Sequence, residues 1–180
     1  MIIHMNYSSV KTELPAGIRL RSMQESDLPG VYRLEVMSQP LPWPRWFFRR
    51  QLRTGASCFV LEASNEIIGF GIVAIVKTRA HIMNMCVAPG YRRHGLGRRI
   101  MLHLLNVARQ RHCRRVWLEV RRTNRPAILL YRKLGFRTKQ VLKGYYPTRK
   151  GLQNGLVMAR AVRSLVKHTP CPQRDGDRMP

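Results

Sequence analysis

Between Glu66 and Asp175 the chain carries a single acidic residue, Glu119, in the run Trp117-Leu-Glu-Val120. A carboxylate within such a stretch is costly unless it is paired or used. Two roles are open to it: partner for a neighbouring arginine, Arg121 or Arg122, or general base. Tyr131 sits at helical spacing from Ala127 and Leu134, which fits ordinary core, and its hydroxyl is also a candidate general acid. The third feature is Arg92-Arg-His-Gly-Leu-Gly97, in which Arg92 and Arg93 precede His94, Gly95, Leu96 and Gly97, with Arg98 next. Gly95 and Gly97 let backbone approach a ligand closely and tolerate φ > 0. Placed between an apolar strand and a helix, such a loop presents N–H groups at a positive helix end and suits a pyrophosphate, although it also fits a plain turn. It is not a Walker loop, which needs Gly-Lys-Ser/Thr, nor a dinucleotide fingerprint, which needs a third glycine. Asn124 fits a helix cap, with a second use on a ligand's amide groups.

The elements that must position these groups follow from hydrophobic period. Ile18-Arg-Leu-Arg21 alternates as a first strand. A helix begins at Ser26 or Asp27, tolerates Pro29 in its first turn and runs through Val31, Leu34 and Glu35. Pro40-Leu-Pro-Trp-Pro44 stops it. Residues 45–53 form a second helix with Trp46, Phe47 and Leu52 turned inward, ended by Gly55. Strands follow at 58–63, 67–77 and 80–87, with a hairpin turn at Asn65-Glu66. Ile100, Met101, Leu104, Leu105 and Ala108 make residues 96–112 an amphipathic helix. Residues 116–120 alternate as a strand. A helix from Thr123 or Asn124 buries Ala127, Leu130, Tyr131 and Leu134, with Gly135 at its C′ position. Residues 136–146 and 156–161 close the domain as a strand pair.

One domain of this length can bury a real core. No apolar run approaches the roughly 20 residues of a membrane helix. The N-terminus lacks the pattern of a signal peptide. Cys58, Cys86, Cys113 and Cys171 show no CxxC spacing, so free thiols in a reducing cytoplasm are expected, with neither disulfide nor zinc. The histidines offer no ligand spacing, and no metal is expected. Cys86 lies within an apolar strand, where thiols are inert, so it is not expected to accept an acyl group. A formal net charge of +24 is extreme. It attracts polyanions such as CoA phosphates, RNA or a ribosome, or it reflects an Arg-rich composition alone. Residues 1–16 are expected to form a flexible leader, 17–163 the folded domain, and 164–180 a disordered polar tail.

Taken together, residues 18–161 resemble the Gcn5-related N-acetyltransferase (GNAT) superfamily. Val87-Ala-Pro-Gly-Tyr-Arg-Arg-His-Gly-Leu-Gly97 is similar to its acetyl-CoA loop, and Asn124-Arg-Pro-Ala127 with Leu130-Tyr-Arg-Lys-Leu-Gly-Phe136 is similar to its next motif. Within the superfamily the chain is most similar to the bacterial RimI-type ribosomal-protein-alanine N-acetyltransferases. Leu41-Pro-Trp43, Trp117-Leu-Glu-Val-Arg121, the Asn124 to Tyr131 spacing and Tyr145-Tyr-Pro-Thr148 carry that narrower likeness.

The resemblance implies an α/β (α+β) fold. Its mixed sheet would have six or seven strands and about four flanking helices, with a splay between strands 80–87 and 115–121. It implies acetyl-CoA as acetyl donor, its arm held by backbone at Met85, Cys86 and Val87. Arg92 to Arg98 would take its diphosphate and Asn124 its pantetheine. It implies Glu119 as base and Tyr131 as acid, with transfer by direct attack in a ternary complex. Leu41, Pro42, Trp43, Tyr145 and Tyr146 would line the acceptor groove. The implied acceptor is a protein N-terminus, an alanine of a small-subunit ribosomal protein. A lysine side chain, a small-molecule amine, or a non-catalytic ribosome- or RNA-bound role are the alternatives. Where RimI-type chains tend to carry an acidic pair, this one has Gln153-Asn154. A cationic acceptor therefore meets local negative charge only at Glu35 or Glu119.

Overall fold

The computed structural model describes residues 15–162. The expected tail and most of the expected leader lie outside them. The strands are Ile18–Ser22 (β1), Ser57–Ala63 (β2), Glu66–Val76 (β3), Arg79–Val87 (β4), Arg115–Arg121 (β5), Arg137–Thr148 (β6) and Gly151–Ala161 (β7). They form one mixed sheet in the order β1-β2-β3-β4-β5-β7-β6. The helices are Leu28–Ser38 (α1), Arg45–Arg53 (α2), Leu96–Gln110 (α3) and Arg125–Lys133 (α4). This is the expected mixed architecture.

The sheet has a core on each face. Val31 and Leu34 of α1 and Phe48 of α2 pack with Val60, Phe70, Ile72 and Cys86 on one face. Leu96, Ile100, Met101 and Leu104 of α3, with Ile128 and Tyr131 of α4, pack with Leu61, Ile82, Leu118 and Val120 on the other. α3 lies close to β3 because Gly71 has no side chain. A Cβ there would stand 2.5 Å from Ile100 Cγ2 and 3.1 Å from Leu104 Cδ1.

β4 and β5 run parallel and pair only from Arg79↔Arg115 to Ile82↔Leu118; beyond that they share no pairs. The register on the other side of β4 shows the local cause. Val73 pairs Ile82 and Ile72 pairs Asn84, which leaves Met83 as an extra residue. A bulge bends its strand and increases the local twist. Here the bend falls where pairing with β5 stops, so β4 leans away and a gap opens. The bulge also resets which side each later residue faces. Ile82 belongs to the α3 side, whereas Met83 and Cys86 pack on the α1 side and Asn84 reaches Glu35 of α1.

Some sequence expectations shift. In α2 the deeply buried ring is Phe48, at 1% exposure, while Trp46 is 60% exposed. With the helix starting at Arg45, Phe48 and Gln51 share the inner face, and Trp46 instead meets the edge of Phe47. The β2–β3 turn is Ser64-Asn65, one residue earlier than expected, with both residues at positive φ (48° and 63°) as such tight turns require. β6 and β7 extend to Thr148 and from Gly151, well past the apolar positions that marked them. Gly135 follows α4 at φ 87°, as expected of a C′ residue.

Candidate active site

The gap between β4 and β5 forms part of a cleft of about 330 Å³. β4 contributes His81, Ile82, Met83, Asn84 and Met85 to its wall, and β5 contributes Leu118, Glu119, Val120 and Arg121. Asn124 and Tyr131 come from the start and body of α4, Glu35, Leu41 and Trp43 from α1 and its following loop, and Tyr145 and Tyr146 from β6. Both expected catalytic residues and most of those expected to meet the acceptor thus share one place, whereas of the expected donor contacts only Met85 and Asn124 line it. Cys86 turns its side chain away, toward α1, where Sγ lies 3.0 Å from Ser38 Oγ. Burial pushes its thiol up.

The N-terminus of α3 stands beside Met85 and Val87 of β4. Gly95, at φ 78°, is its N-cap, and no side chain caps the helix. The first-turn N–H groups of a helix have no intrahelical partner, so these remain for an external acceptor. A Cβ at Gly95 or Gly90 would meet nothing within 4 Å, and one at Gly97 would make only ordinary contacts with Leu130, Met85 and Val87. The glycines therefore keep space open rather than relieve crowding within the protein. α4 differs: Asn124 Oδ1 accepts from Ala127 N–H at 3.3 Å, which leaves its amide NH₂ for other use. Arg93, His94 and Arg98 are exposed around the α3 terminus. Arg92 folds back, donating from Nε to the Val87 carbonyl at 3.0 Å and from its NH₂ group to Ser38 Oγ at 3.1 Å.

Glu119 is not the partner of Arg121 or Arg122. Its Oε2 lies 2.7 Å from His81 Nε2. Arg121 instead lies over the Tyr146 ring at 4.5 Å and donates to the Pro147 carbonyl at 3.3 Å. Tyr131 is 8% exposed at the cleft wall, and burial pushes its phenol up to about 12, so the hydroxyl keeps its proton at neutral pH. Burial also pushes Tyr146 up to about 12, with the charge of Glu119 adding to the effect.

Glu35 is 1% exposed and forms no ion pair among the described residues. Its carboxylate accepts from Trp43 N–H and Asn84 Nδ2, both at 3.1 Å. Burial raises its pKa, and these two bonds oppose the rise. It therefore holds the Leu41 to Trp43 loop against the bulged part of β4. On the opposite wall the β6–β7 pairing skips from Leu142↔Gly155 to Tyr146↔Gln153, so Lys143, Gly144 and Tyr145 bulge out. Asn154 Oδ1 clasps this bulge by accepting from Gly144 N–H at 3.0 Å. Gly155 has no side chain where a Cβ would lie 2.9 Å from Tyr146 Cε2, which lets both tyrosine rings settle over the strand.

Asn154 entered the sequence reading only as half of Gln153-Asn154; His81, Asn84 and Gly155 escaped it. Asn84 left one trace, a polar residue interrupting the apolar run Ile82 to Val87. The others left none, since their meaning lies in cross-strand register.

This fold, with its parted parallel strands and uncapped helix beside them, defines an acyltransferase class. The chain belongs to the acetyltransferase (GNAT) family, whose sequence profile matches residues 20–136. It is 34% identical to the [ribosomal protein bS18]-alanine N-acetyltransferase of Escherichia coli K12 over 79% of this chain and 97% of that protein. Identity to the Salmonella typhimurium protein of the same name is 33%, over 78% and 95%. The crystal structure of the E. coli ribosomal-protein-S18-alanine N-acetyltransferase superposes with a TM-score of 0.78 at 32% identity, covering 84% of this chain and 97% of that one. Ard1 from Thermoplasma volcanium gives 0.77 at 27%, covering 82% and 99%.

Proposed function

We propose that this protein moves an acetyl group from acetyl-CoA to the α-amino group of a protein N-terminus, an N-terminal alanine of a small-subunit ribosomal protein. The likeness to the bS18-alanine enzymes supports the acceptor. The observation that carries the reaction is the β4–β5 gap, with Glu119 and Tyr131 on its walls and the α3 N-terminus beside it.

The residues fit the donor. The amides from Gly95 to Arg98, with Arg93 and Arg98 near, would hold its diphosphate. Backbone of Met85 to Val87 and the Asn124 amide would hold its arm. Bound there, acetyl-CoA supplies an activated acetyl thioester. An α-amine with pKa about 8 is mostly protonated at neutral pH. Glu119 takes its proton, and the freed lone pair attacks the acetyl carbonyl directly. Backbone N–H groups at the β4 opening stabilise the oxyanion, a contribution of about 3 kcal/mol in comparable sites. Tyr131 gives its proton to the departing thiolate, and the proton still held by the acylated nitrogen leaves as the amide forms and restores the phenol. Trp43, Leu41, Tyr145 and Tyr146 line the acceptor's path, and Glu35 keeps the first two in place.

A second reading, acetylation of another amine, draws on one observation. The concavity next to the cleft, of about 460 Å³, is lined by Arg122, Arg125, Thr123, Leu152, Gln153 and Asn154, with no carboxylate. It disfavours a strongly basic acceptor just past its N-terminus. The net charge of +24 also supports an encounter with RNA or the ribosome, which would bring acceptor and enzyme together. Incubation with acetyl-CoA and an Ala-initiated ribosomal peptide, beside lysine and small-amine controls, tests the choice by mass spectrometry. Acetyl on the peptide's α-amine is expected. Acetyl on a lysine or small amine alone would favour the second reading.

A further inference from the structure

Glu119 occupies a precarious place. It is the first β5 residue beyond the last β4–β5 pair, Ile82↔Leu118. On that side its carboxylate has no ladder to hold it. His81 reaches it across the seam. His81 and Trp117 are directly opposed in the parallel register, and their rings stack at 3.6 Å with only 3° between planes. The stack fixes the imidazole plane, and Nε2 then points along the strand to Glu119 Oε2 at 2.7 Å. Both side chains line the cleft, with 23% and 18% of their surfaces exposed.

The choice of partner is informative. The chain has 33 lysines and arginines, yet among the described residues the only side chain bonded to this carboxylate is an imidazole. Arg121, on the same face of β5, is held on Tyr146 and Pro147 instead. A guanidinium would grip both carboxylate oxygens with a permanent charge. One imidazole N–H occupies a single oxygen and leaves the other free.

We propose that His81 is a positioning residue for proton abstraction: clamped on Trp117, it donates Nε2–H to Glu119 Oε2 and leaves Oε1 as the atom that receives the acceptor's proton. In that step the ammonium N–H bond breaks and its electron pair stays on nitrogen. The proton bonds to Oε1, and the neutral amine then attacks the thioester carbonyl. The His81 proton stays on Nε2 throughout. This rests on the assignment of Glu119 as base.

The test uses the full-length protein and whichever amine the wild-type enzyme acetylates. kcat and KM are measured by CoA release for His81→Leu, His81→Gln, Glu119→Gln and the His81→Leu/Glu119→Gln pair. Misplacing a reacting group by about 1 Å can cost about 100-fold, so His81→Leu should lose about 10- to 100-fold in kcat. Its KM for acetyl-CoA should stay within about twofold, because the stacked pair lies away from the α3 terminus. His81→Gln, which keeps an N–H donor, should recover most of the loss. In the Glu119→Gln background His81→Leu should cost nothing further, since its effect passes through that carboxylate. Melting temperature and acetyl-CoA affinity verify folding. If His81→Leu does not fold, His81→Asn, too short to reach Glu119, replaces it. Wild-type kcat in the loss-of-contact variant, an equal loss in His81→Gln, or full additivity in the double variant would each overturn the proposal. An active Glu119→Gln would instead remove the base assignment itself, so the two failures are separable.

Discussion

Two regions at the β4–β5 gap are built on opposite terms. The α3 terminus with its glycine loop is local: one short run of chain, a positive-φ glycine and amides that any sequence of this shape would expose. The wall carrying Tyr145 and Tyr146 is assembled from a distance. It needs the bulge of β6, the Asn154 clasp, the bare Gly155 and the Arg121 guanidinium over a ring. A backbone cradle suits a donor that is the same in every turnover. A wall of interchangeable side chains suits an acceptor whose identity must be selected.

That contrast can be broken in four places. The largest effect is expected in the cleft itself. Glu119→Gln and Tyr131→Phe should each lower kcat by about 10²- to 10⁴-fold, the usual cost of removing a positioned base or acid. Acetyl-CoA affinity by calorimetry should stay near wild type; wild-type turnover in both would void the roles given to them. Next, Gly155→Ala should push Tyr146 aside and raise KM for a peptide acceptor by about tenfold, a displacement cost of the kind overpacking brings. If acetyl-CoA binding weakens as much, the two regions are not separate. Third, Gly95→Ala places a Cβ at φ 78°. The strain of about 1 kcal/mol, a factor of about 5, should appear as weaker acetyl-CoA binding with peptide KM unmoved.

The smallest effect concerns Glu35, whose carboxyl burial pushes up. An acid with a folded-state pKa above its unfolded value binds more protons when folded. Its contribution is therefore most favourable below the unfolded value of about 4.3 and declines as pH rises through the folded value. Asp27 has the opposite sign. The Arg21 guanidinium beside it holds its carboxyl down, so its contribution is lost as pH falls toward acid. Glu35→Gln should remove the decline without removing the acid-side loss. Urea unfolding at pH 4.5, 6 and 8 measures both, and an unchanged profile would mean that Glu35 does not govern it.

How much of this was visible in the sequence follows the same division. The strands, the helix after the glycine loop, Gly135 as a stop and the run holding Glu119 and Tyr131 all depend on near neighbours, and periodicity reveals them. Trp46 was misplaced because a nine-residue helix so rich in aromatics gives two acceptable inner faces, and contact with β2 and β3 decides between them. His81 and Glu119 are 38 positions apart. Nothing in either segment states that their strands are aligned so that Trp117 lies beneath the imidazole. Arg92 was offered to the diphosphate with its neighbours; the turn that returns its side chain to Val87 and Ser38 is not written in the sequence.

Met83 has a consequence beyond its own strand. With it, β4 is one residue longer than its neighbour requires. Were it excised, Asn84 would follow Ile82 in regular pairing with β3, and Asn84 and Met85 would keep the sides they now face. The Asn84 bond to Glu35 would survive, but the bend would go, and the seam with β5 would have no reason to stop at Leu118. Catalytic capacity in this chain thus hangs on a single residue of slack, which a deletion could erase while every other amino acid named above remained.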